Sequence, residues 1–227
     1  MQNGKTPVYI KTELAAIRFW HDQIPNPRFR ELPDNNSLNL ARRKYGGVDR
    51  TWSGREFNLA IAKAVELERE DYATILCLAR YAALRLHECF RIDTQTATNA
   101  LKTGRLIVKG KGGLVREVPI NQSIEIQLKK VLEITPRGHK LFVKSYDKTH
   151  LAMHRFQNFL SRHKAAIQDA NSTRPLHFHG LRHTCAAEWY REFLAQGMTE
   201  KQARLAVAKL LGHGRDSVTK FYLASLD

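Results

Sequence analysis

The sequence lacks the features that would place it in a membrane or in an oxidising compartment. No run approaches the roughly 18 apolar residues that a membrane-spanning helix needs, and the first residues hold no apolar core of a secretory signal. Cysteine is scarce, since Cys77, Cys89 and Cys185 stand far apart and each has apolar neighbours. We interpret them as reduced core residues rather than as a disulfide frame. We therefore expect a cytoplasmic protein without a membrane partner.

Acidic residues are also few. Asp and Glu number 22 against 37 Lys and Arg, which gives the 227-residue chain a formal net charge of +15. The excess is concentrated between residues 137 and 191, where ten Lys or Arg stand against three acids. A chain this basic favours a polyanionic partner, most simply nucleic acid, although a solvated basic face would give the same composition.

The apolar pattern predicts a mainly α-helical fold with one small antiparallel sheet, an α+β arrangement. Ser53-Gly-Arg-Glu56 is a capping box that begins a helix. Asp71 is expected to cap the next helix, which is apolar through Leu84 and ends in the charge of Arg85. The runs 105–109 and 114–118, joined by four residues that include three glycines, predict a β-hairpin. Residues 141–143 predict a third strand, and further helices are predicted over 123–133, 150–169, 180–195 and 199–211, with a last turn at 218–223.

The first fifty residues predict a short helical segment. Thr12 is expected to cap a helix that continues to Trp20, and a basic helix is expected over 38–45. The segment is too short to form an independent core. We therefore divide the chain at residue 50, with a single larger domain over 51–227.

Four groups of residues stand out within the larger domain. Arg85 and Glu88 stand one helical turn apart, in an apolar context where a charge needs partners. Lys111 occupies the tip of the glycine-rich hairpin. The other two groups are His177-Phe-His-Gly-Leu-Arg-His183, and Leu210-Leu-Gly-His213 with Tyr222 nine positions later. Singly, each has an ordinary explanation, such as a salt-bridged helix end or a core aromatic residue.

Together, these residues resemble the tyrosine recombinase (phage integrase) family. Ala83-Leu-Arg85-Leu-His-Glu88 is similar to the family's first box, with alanine where glycine is usual. The hairpin with Lys111 is similar to the one that carries the family lysine. His179-Gly-Leu-Arg182-His-Thr184 is similar to the His-x-x-Arg box, and Leu211-Gly-His213 followed by Tyr222 is similar to the final box. The resemblance covers about 51–227 and keeps the boxes in the family's order, which chance matches rarely do.

The resemblance implies a DNA-cleaving site built from fixed cations. Attack on a phosphodiester increases the negative charge on the phosphate oxygens, and arginine meets that charge with two parallel hydrogen bonds and never loses its proton. Arg85 and Arg182 fit this role, with Glu88 orienting Arg85. His213 would bond a nonbridging phosphate oxygen. The resemblance implies no ATP, no obligatory metal and no other cofactor.

The same resemblance makes Tyr222 the nucleophile, which forms a 3′-phosphotyrosyl bond and leaves a free 5′-hydroxyl. A phenol needs help to lose its proton at neutral pH, and His179 is the expected acceptor. Lys111 would donate a proton to the leaving 5′-oxygen. His183 is expected to pack or hydrogen-bond beside Arg182.

Double-stranded DNA is the expected partner, and basic side chains would hold its backbone without reading sequence. The predicted contacts are Lys109, Arg116, Lys144, Lys148, Arg155, Arg162, Lys164 and Arg174. Recombination by this family implies a homotetramer on DNA. About fifty residues precede Thr51 and five follow Tyr222, so we expect a catalytic fragment, associated with the nucleoid through DNA and monomeric when alone. The short start would then be the end of a core-binding domain.

Three alternatives stay open at this point. A type IB topoisomerase shares the chemistry but relaxes supercoils as a monomer. A non-catalytic relative would bind DNA and would have lost the reaction. A zinc nuclease could use His177, His179 and His183, although the segment lacks the carboxylate of a His-Glu-x-x-His motif.

Overall fold

The computed structural model of the chain describes residues 6–40, 48–110, 113–213 and 219–223. These residues fall into two compact units, one within residues 1–45 and the other within 46–227.

The first unit contains one helix, α1 (Pro7–His21), among its described residues. Thr6 caps it, and Pro7 suits the first helical position because its missing N–H would have had no partner there. The expectation that Thr12 is the cap is wrong, because Thr12 lies inside α1, where its hydroxyl donates to the Val8 carbonyl at 3.0 Å. The basic helix expected over 38–45 lies mostly outside the described residues.

The second unit contains the remaining helices and the hairpin. In chain order its described elements are α2 (Gly54–Glu66), α3 (Glu70–Ala82), α4 (Leu86–Cys89), α5 (Thr94–Thr103), β1 (Arg105–Lys109), β2 (Val115–Pro119), α6 (Gln122–Ile134), α7 (Thr149–Ile167), α8 (Phe178–Ala195) and α9 (Glu200–Leu211). The mainly helical class with a small antiparallel sheet is confirmed.

Helix α3 lies at the centre of the core and contacts α2, α6 and α8. Ile75, Leu76 and Leu78 are fully buried on it, as its almost continuous apolar sequence predicts. Asp71 is not its cap, because the helix begins one residue earlier, and the Asp71 carboxylate instead accepts hydrogen bonds from the Arg69 guanidinium. The capping box at Ser53 and Glu56 is present at the start of α2.

The sheet has two strands among the described residues, β1 and β2, paired antiparallel with Leu106 opposite Val118 and Val108 opposite Arg116. The third strand expected over 141–143 is wrong. The nearest pairing is an isolated bridge between Asp93 and Lys140. Core packing explains the apolar residue at this position. The ring of Phe142 packs on Phe90, with centroids 6.2 Å apart, and does not belong to a β-ladder.

Candidate active site

The first turn of α8 brings His179, Arg182 and His183 to one place. The chain at 50–52 fixes this turn, since Trp52 Nε1 donates to the His177 carbonyl at 2.9 Å and the Trp52 N–H donates to Thr184 Oγ1 at 2.8 Å. Gly180 makes the close approach possible. A Cβ added there would lie 2.2 Å from the Arg50 carbonyl oxygen, which no side chain tolerates.

Arg182 is a fully buried cation. Its guanidinium donates to the carbonyls of Ala83 and Leu211, and its Nε has no hydrogen-bond partner among the described residues. Burial lowers the pKa of Arg182 to about 10, which leaves it protonated at neutral pH. The position therefore holds a fixed positive charge whose acceptors are neutral.

Arg85 and Glu88 follow the end of α3, with Arg85 as the N-cap residue of the short helix α4 and Glu88 within that helix. Ala83 ends α3 in the left-handed region with φ 50°, and Arg85 then stands immediately before α4. The Glu88 carboxylate accepts from the Arg85 N–H at 2.7 Å and from Arg85 Nη1 at 3.0 Å. This pair holds the Arg85 side chain, which is 25% exposed, while Glu88 is fully buried.

Arg116 is the second arginine that binds the Glu88 carboxylate. Its Nη1 and Nη2 donate to the two oxygens of Glu88 at 2.8 and 2.7 Å. Burial alone would raise the pKa of Glu88, but the hydrogen bonds from Arg116 and from the Arg85 backbone outweigh it and lower that pKa to about 2. Glu88 is therefore an anion that neutralises one of two neighbouring cations.

Tyr222 lies within this cluster. Its hydroxyl is 3.0 Å from Nε2 of His179, a hydrogen-bond distance. Its ring stacks on His183 with centroids 4.3 Å apart and planes 15° from parallel. The ring of His213 lies 4.7 Å away, and the Arg182 guanidinium lies 5.6 Å from the Tyr222 centroid. The residue is itself buried.

The three histidines are uncharged at neutral pH. Desolvation, followed by the positive fields of Arg182 and Arg85, lowers the pKa of His179 to about 4 and that of His213 to about 3. Desolvation, followed by the neighbouring His179, lowers the pKa of His183 to about 3. A neutral imidazole can accept a proton, which an imidazolium cannot do.

The structure thus brings together Arg85, Glu88, His179, Arg182, His183, His213 and Tyr222 from positions up to 137 residues apart in the sequence. Lys111, the remaining member of the predicted set, lies outside the described residues. Lys109, at the end of β1, is exposed, and its carbonyl accepts from Arg91 at 3.1 Å.

The residues predicted to contact the DNA backbone divide into two groups. Lys144, Lys148, Arg155 and Arg162 are exposed, and Lys164 is half-buried. The prediction for Arg116 is wrong, because its side chain is 5% exposed and bound to Glu88. Arg174 is also held by the protein, since it donates to the Thr51 carbonyl at 2.7 Å and to Glu56 at 3.1 Å.

Sequence reasoning missed three residues that shape the site. Trp52 anchors α8, and the exposed Arg50 contributes to lowering the pKa of His179 and of His183. Arg116 was read as a surface cation. Its one usable signal was its place in β2 opposite Val108, whose side chain points into the core.

Two further observations concern metal and membrane. Within the described ranges, no three His, Cys, Asp or Glu side chains come together as a metal site would require. None of the helices in those ranges is both long and apolar enough to cross a bilayer.

The fold and the gathered residues define the class, which is that of tyrosine recombinase catalytic domains. Residues 58–227 match the phage integrase family, and the chain belongs to that family. No curated protein matches the sequence.

Solved structures agree on the fold. XerA recombinase is 18% identical with a TM-score of 0.58, and the match covers 98% of this chain and 80% of that one. A lambda integrase dimer bound to a COC′ core site is 17% identical with a TM-score of 0.68, and the match covers 96% of this chain and 59% of that one. XerH recombinase bound to difH substrate in a pre-cleavage complex is 18% identical with a TM-score of 0.59 over 95% of this chain. The chain spans 60% of the length of that XerH chain.

Proposed function

We propose that this chain is the catalytic part of a site-specific DNA recombinase, of the integrase kind found in phages and mobile elements, that cleaves and rejoins DNA through Tyr222. The position of Tyr222 supports the proposal most directly. Its hydroxyl lies 3.0 Å from Nε2 of His179, and the Arg182 guanidinium lies 5.6 Å from its ring centroid. In this proposal residues 51–227 form the catalytic domain, and residues 1–50 form a short helical segment.

The arginines bind the phosphate in this mechanism. Arg85 is held by Glu88 but is partly exposed, so part of its guanidinium is free to meet a phosphate oxygen. Arg182 supplies a second positive charge, which is fully buried and lies next to the Tyr222 ring. Preorganised donors of this kind are usually the largest single contribution to such catalysis. His213 donates to a nonbridging oxygen.

The chemical step exchanges one phosphate ester for another. The Tyr222 oxygen attacks phosphorus as its proton passes to His179, and the bond between phosphorus and the 5′-oxygen breaks. Lys111 donates the proton that the leaving 5′-oxygen needs. The reverse attack by a 5′-hydroxyl releases Tyr222 and rejoins the strand, so no ATP, metal or other cofactor is required.

In this mechanism the DNA phosphate also changes the pKa of His179. A negative charge beside His179 favours its protonated form and so raises its pKa from the low value set by the surrounding cations. Substrate binding therefore strengthens His179 as a proton acceptor at the moment when it is needed.

Double-stranded DNA is the proposed partner. Arg155 and Arg162 are seven residues apart and lie on one face of α7, and Lys148, seven residues before Arg155, is the N-cap residue of that helix. We call this set the α7 basic stripe. Lys144 and Lys109 add exposed cations. Assembly as a homotetramer on DNA is part of the proposal, as is a nucleoid-associated, cytoplasmic location.

A nicked suicide substrate tests the proposal. Its short 5′ fragment diffuses away after cleavage, so the covalent protein–DNA adduct accumulates and is seen on a denaturing gel. We expect an adduct that forms in chelator and is absent in Tyr222→Phe. An adduct that persists in Tyr222→Phe removes Tyr222 as the nucleophile, and one that requires a divalent metal favours the nuclease alternative.

Two comparisons separate the remaining alternatives. A recombinase transfers a strand to a second duplex, whereas a type IB topoisomerase relaxes supercoiled plasmid as a monomer. A non-catalytic relative binds the substrate and forms no adduct under any of these conditions.

A further inference from the structure

Arg116 is a buried cation on β2 whose three hydrogen bonds reach two other parts of the site. It belongs to β2, its Nη1 and Nη2 bind the Glu88 carboxylate of α4, and its Nε donates to the Leu210 carbonyl of α9 at 2.9 Å. Its side chain is 5% exposed, and each of its three guanidinium nitrogens donates to a protein acceptor. Its contacts therefore serve the protein and not the nucleic acid.

Two glycines make room for this ion pair. A Cβ added at Gly212 would lie 3.1 Å from Arg116 Cδ, and a Cβ added at Gly110 would lie 3.3 Å from Glu88 Oε1. Both distances are shorter than ordinary van der Waals contact. The hairpin and the end of α9 thus close over the Arg116–Glu88 pair from two sides.

The last turn of α9 depends on arginine donors. The last four carbonyls of a helix have no partner within it. Here Arg116 donates to Leu210 and Arg182 donates to Leu211, while the next N–H groups, those of Gly212 and His213, return to Lys209 and Ala208. The two arginines therefore fix the turn from which His213 extends.

We propose that Arg116 is a positioning residue for strand cleavage. It holds the Arg85–Glu88 pair, the hairpin and the turn before His213 in one arrangement, so that the cations and the histidine meet the same phosphate. This inference rests on the proposed function. Arg116 touches neither substrate nor reacting atoms, and it acts through Arg85 and His213.

The test separates positioning from DNA contact and from stability. The variants are Arg116→Met, which keeps the aliphatic stem, and Arg116→Lys, which keeps the charge but loses the fork. Arg80→Met is the matched control, because Arg80 also donates to both oxygens of one carboxylate, that of Glu188, and so joins α3 to α8. For each variant we would measure thermal unfolding, DNA affinity as a function of salt, and the single-turnover cleavage rate at saturating folded protein.

We expect Arg116→Met to cleave about 10- to 100-fold more slowly at saturation, because displacement of reacting groups by about 1 Å costs this much. Arg116→Lys should retain an intermediate rate. Affinity and its salt dependence should match the wild type for both variants, since no phosphate contact is lost. Arg80→Met should lose thermal stability and cleave at the wild-type rate.

Three results would overturn the inference. One is a slope of log DNA affinity against log salt concentration that is reduced by about one unit while the cleavage rate at saturation is unchanged. This combination is the signature of a phosphate contact. Another is unchanged cleavage in both Arg116 variants. The third is an equal loss of rate in Arg80→Met, since stability alone would then explain the effect. If the wild type forms no Tyr222-dependent adduct, the proposed function fails instead.

Discussion

Arg182 shows how a single buried residue supplies a positive charge to the candidate site. A buried cation normally needs a carboxylate partner, because removing charge from water costs several kcal/mol. Within the part of the chain that the structure describes, Arg182 donates to the neutral carbonyls of Ala83 and Leu211, and the nearby Glu88 is shared by Arg85 and Arg116. Three cations and one anion leave the cluster with an excess positive charge, which a phosphodiester and its more negative transition state would balance.

Burial is the main reason that the histidines stay neutral, and the neighbouring positive charges add to it, so stability depends on pH. His183 is buried with a pKa of about 3, against 6.5 in the unfolded chain. Between these values the unfolded chain binds the proton and the folded chain does not, so the free energy of unfolding falls as the pH decreases below about 6.5. His183→Phe keeps a flat ring against Tyr222 and cannot titrate. We expect it to reduce the loss of stability between pH 7 and 5 by about 1–2 kcal/mol.

Urea unfolding at several pH values would measure this. His150→Phe, at an exposed histidine of α7, is the control and should follow the wild-type dependence. A His183→Phe curve parallel to that of the wild type would show that His183 has the same pKa in the folded and unfolded protein.

At the scale of elements, the start of α8 must approach the 50–52 segment closely. Gly180→Ala places a Cβ within 2.2 Å of a backbone oxygen and 2.7 Å of the Trp52 ring. Backbone cannot move away as a flexible side chain can, so we expect α8 to shift and the protein to lose about 3 kcal/mol or more of stability.

Chemical denaturation of Gly180→Ala measures this loss, and the same change at Gly54 serves as the control. A Cβ at Gly54 meets nothing within 4 Å, and the residue lies at the start of α2. Alanine there should be neutral or slightly stabilising. Equal stabilities for the two variants would show that 50–52 does not pack against α8 in solution.

The sequence predicted the elements that are specified by residues close together in the chain. The capping box at Ser53 and the glycine-rich hairpin were found because their residues are neighbours in sequence. The turn at Arg85 was missed, since an apolar run continued through it. The one sign was Ala83, at a position where the family box has glycine, and its φ of 50° explains that preference.

The candidate site could be predicted as a set of residues but not as a geometry. The boxes supplied Arg85, His179, Arg182, His213 and Tyr222 by resemblance. The pairing of Arg116 with Glu88 joins residues 28 positions apart, and the stacking of His183 on Tyr222 joins a helix to a distant turn. Such contacts depend on tertiary packing, which no spacing rule reports.

At the scale of the whole molecule, charge bears on the proposed binding of DNA. The net charge of +15 raises affinity for any polyanion, so net charge alone does not identify a binding surface. The α7 basic stripe, in contrast, is a specific candidate for the binding surface. Its members are exposed, and Arg155 remains so although it pairs with Asp147, whereas Arg116 and Arg174 are held by protein acceptors at less exposed positions.

Salt dependence distinguishes a binding surface from general attraction. Each phosphate that a cation neutralises releases counterions and adds about 0.9 to the slope of log affinity against log salt. Lys148→Gln combined with Arg162→Gln should therefore lower this slope by about 2 and weaken binding similarly for all DNA sequences. Lys129→Gln combined with Lys130→Gln removes the same charge from exposed positions on α6 and should leave the slope close to that of the wild type. Fluorescence anisotropy with a labelled duplex at several salt concentrations measures both. Equal reductions in the two double variants would mean that DNA responds to net charge, and the stripe would then lose its assignment as a binding surface.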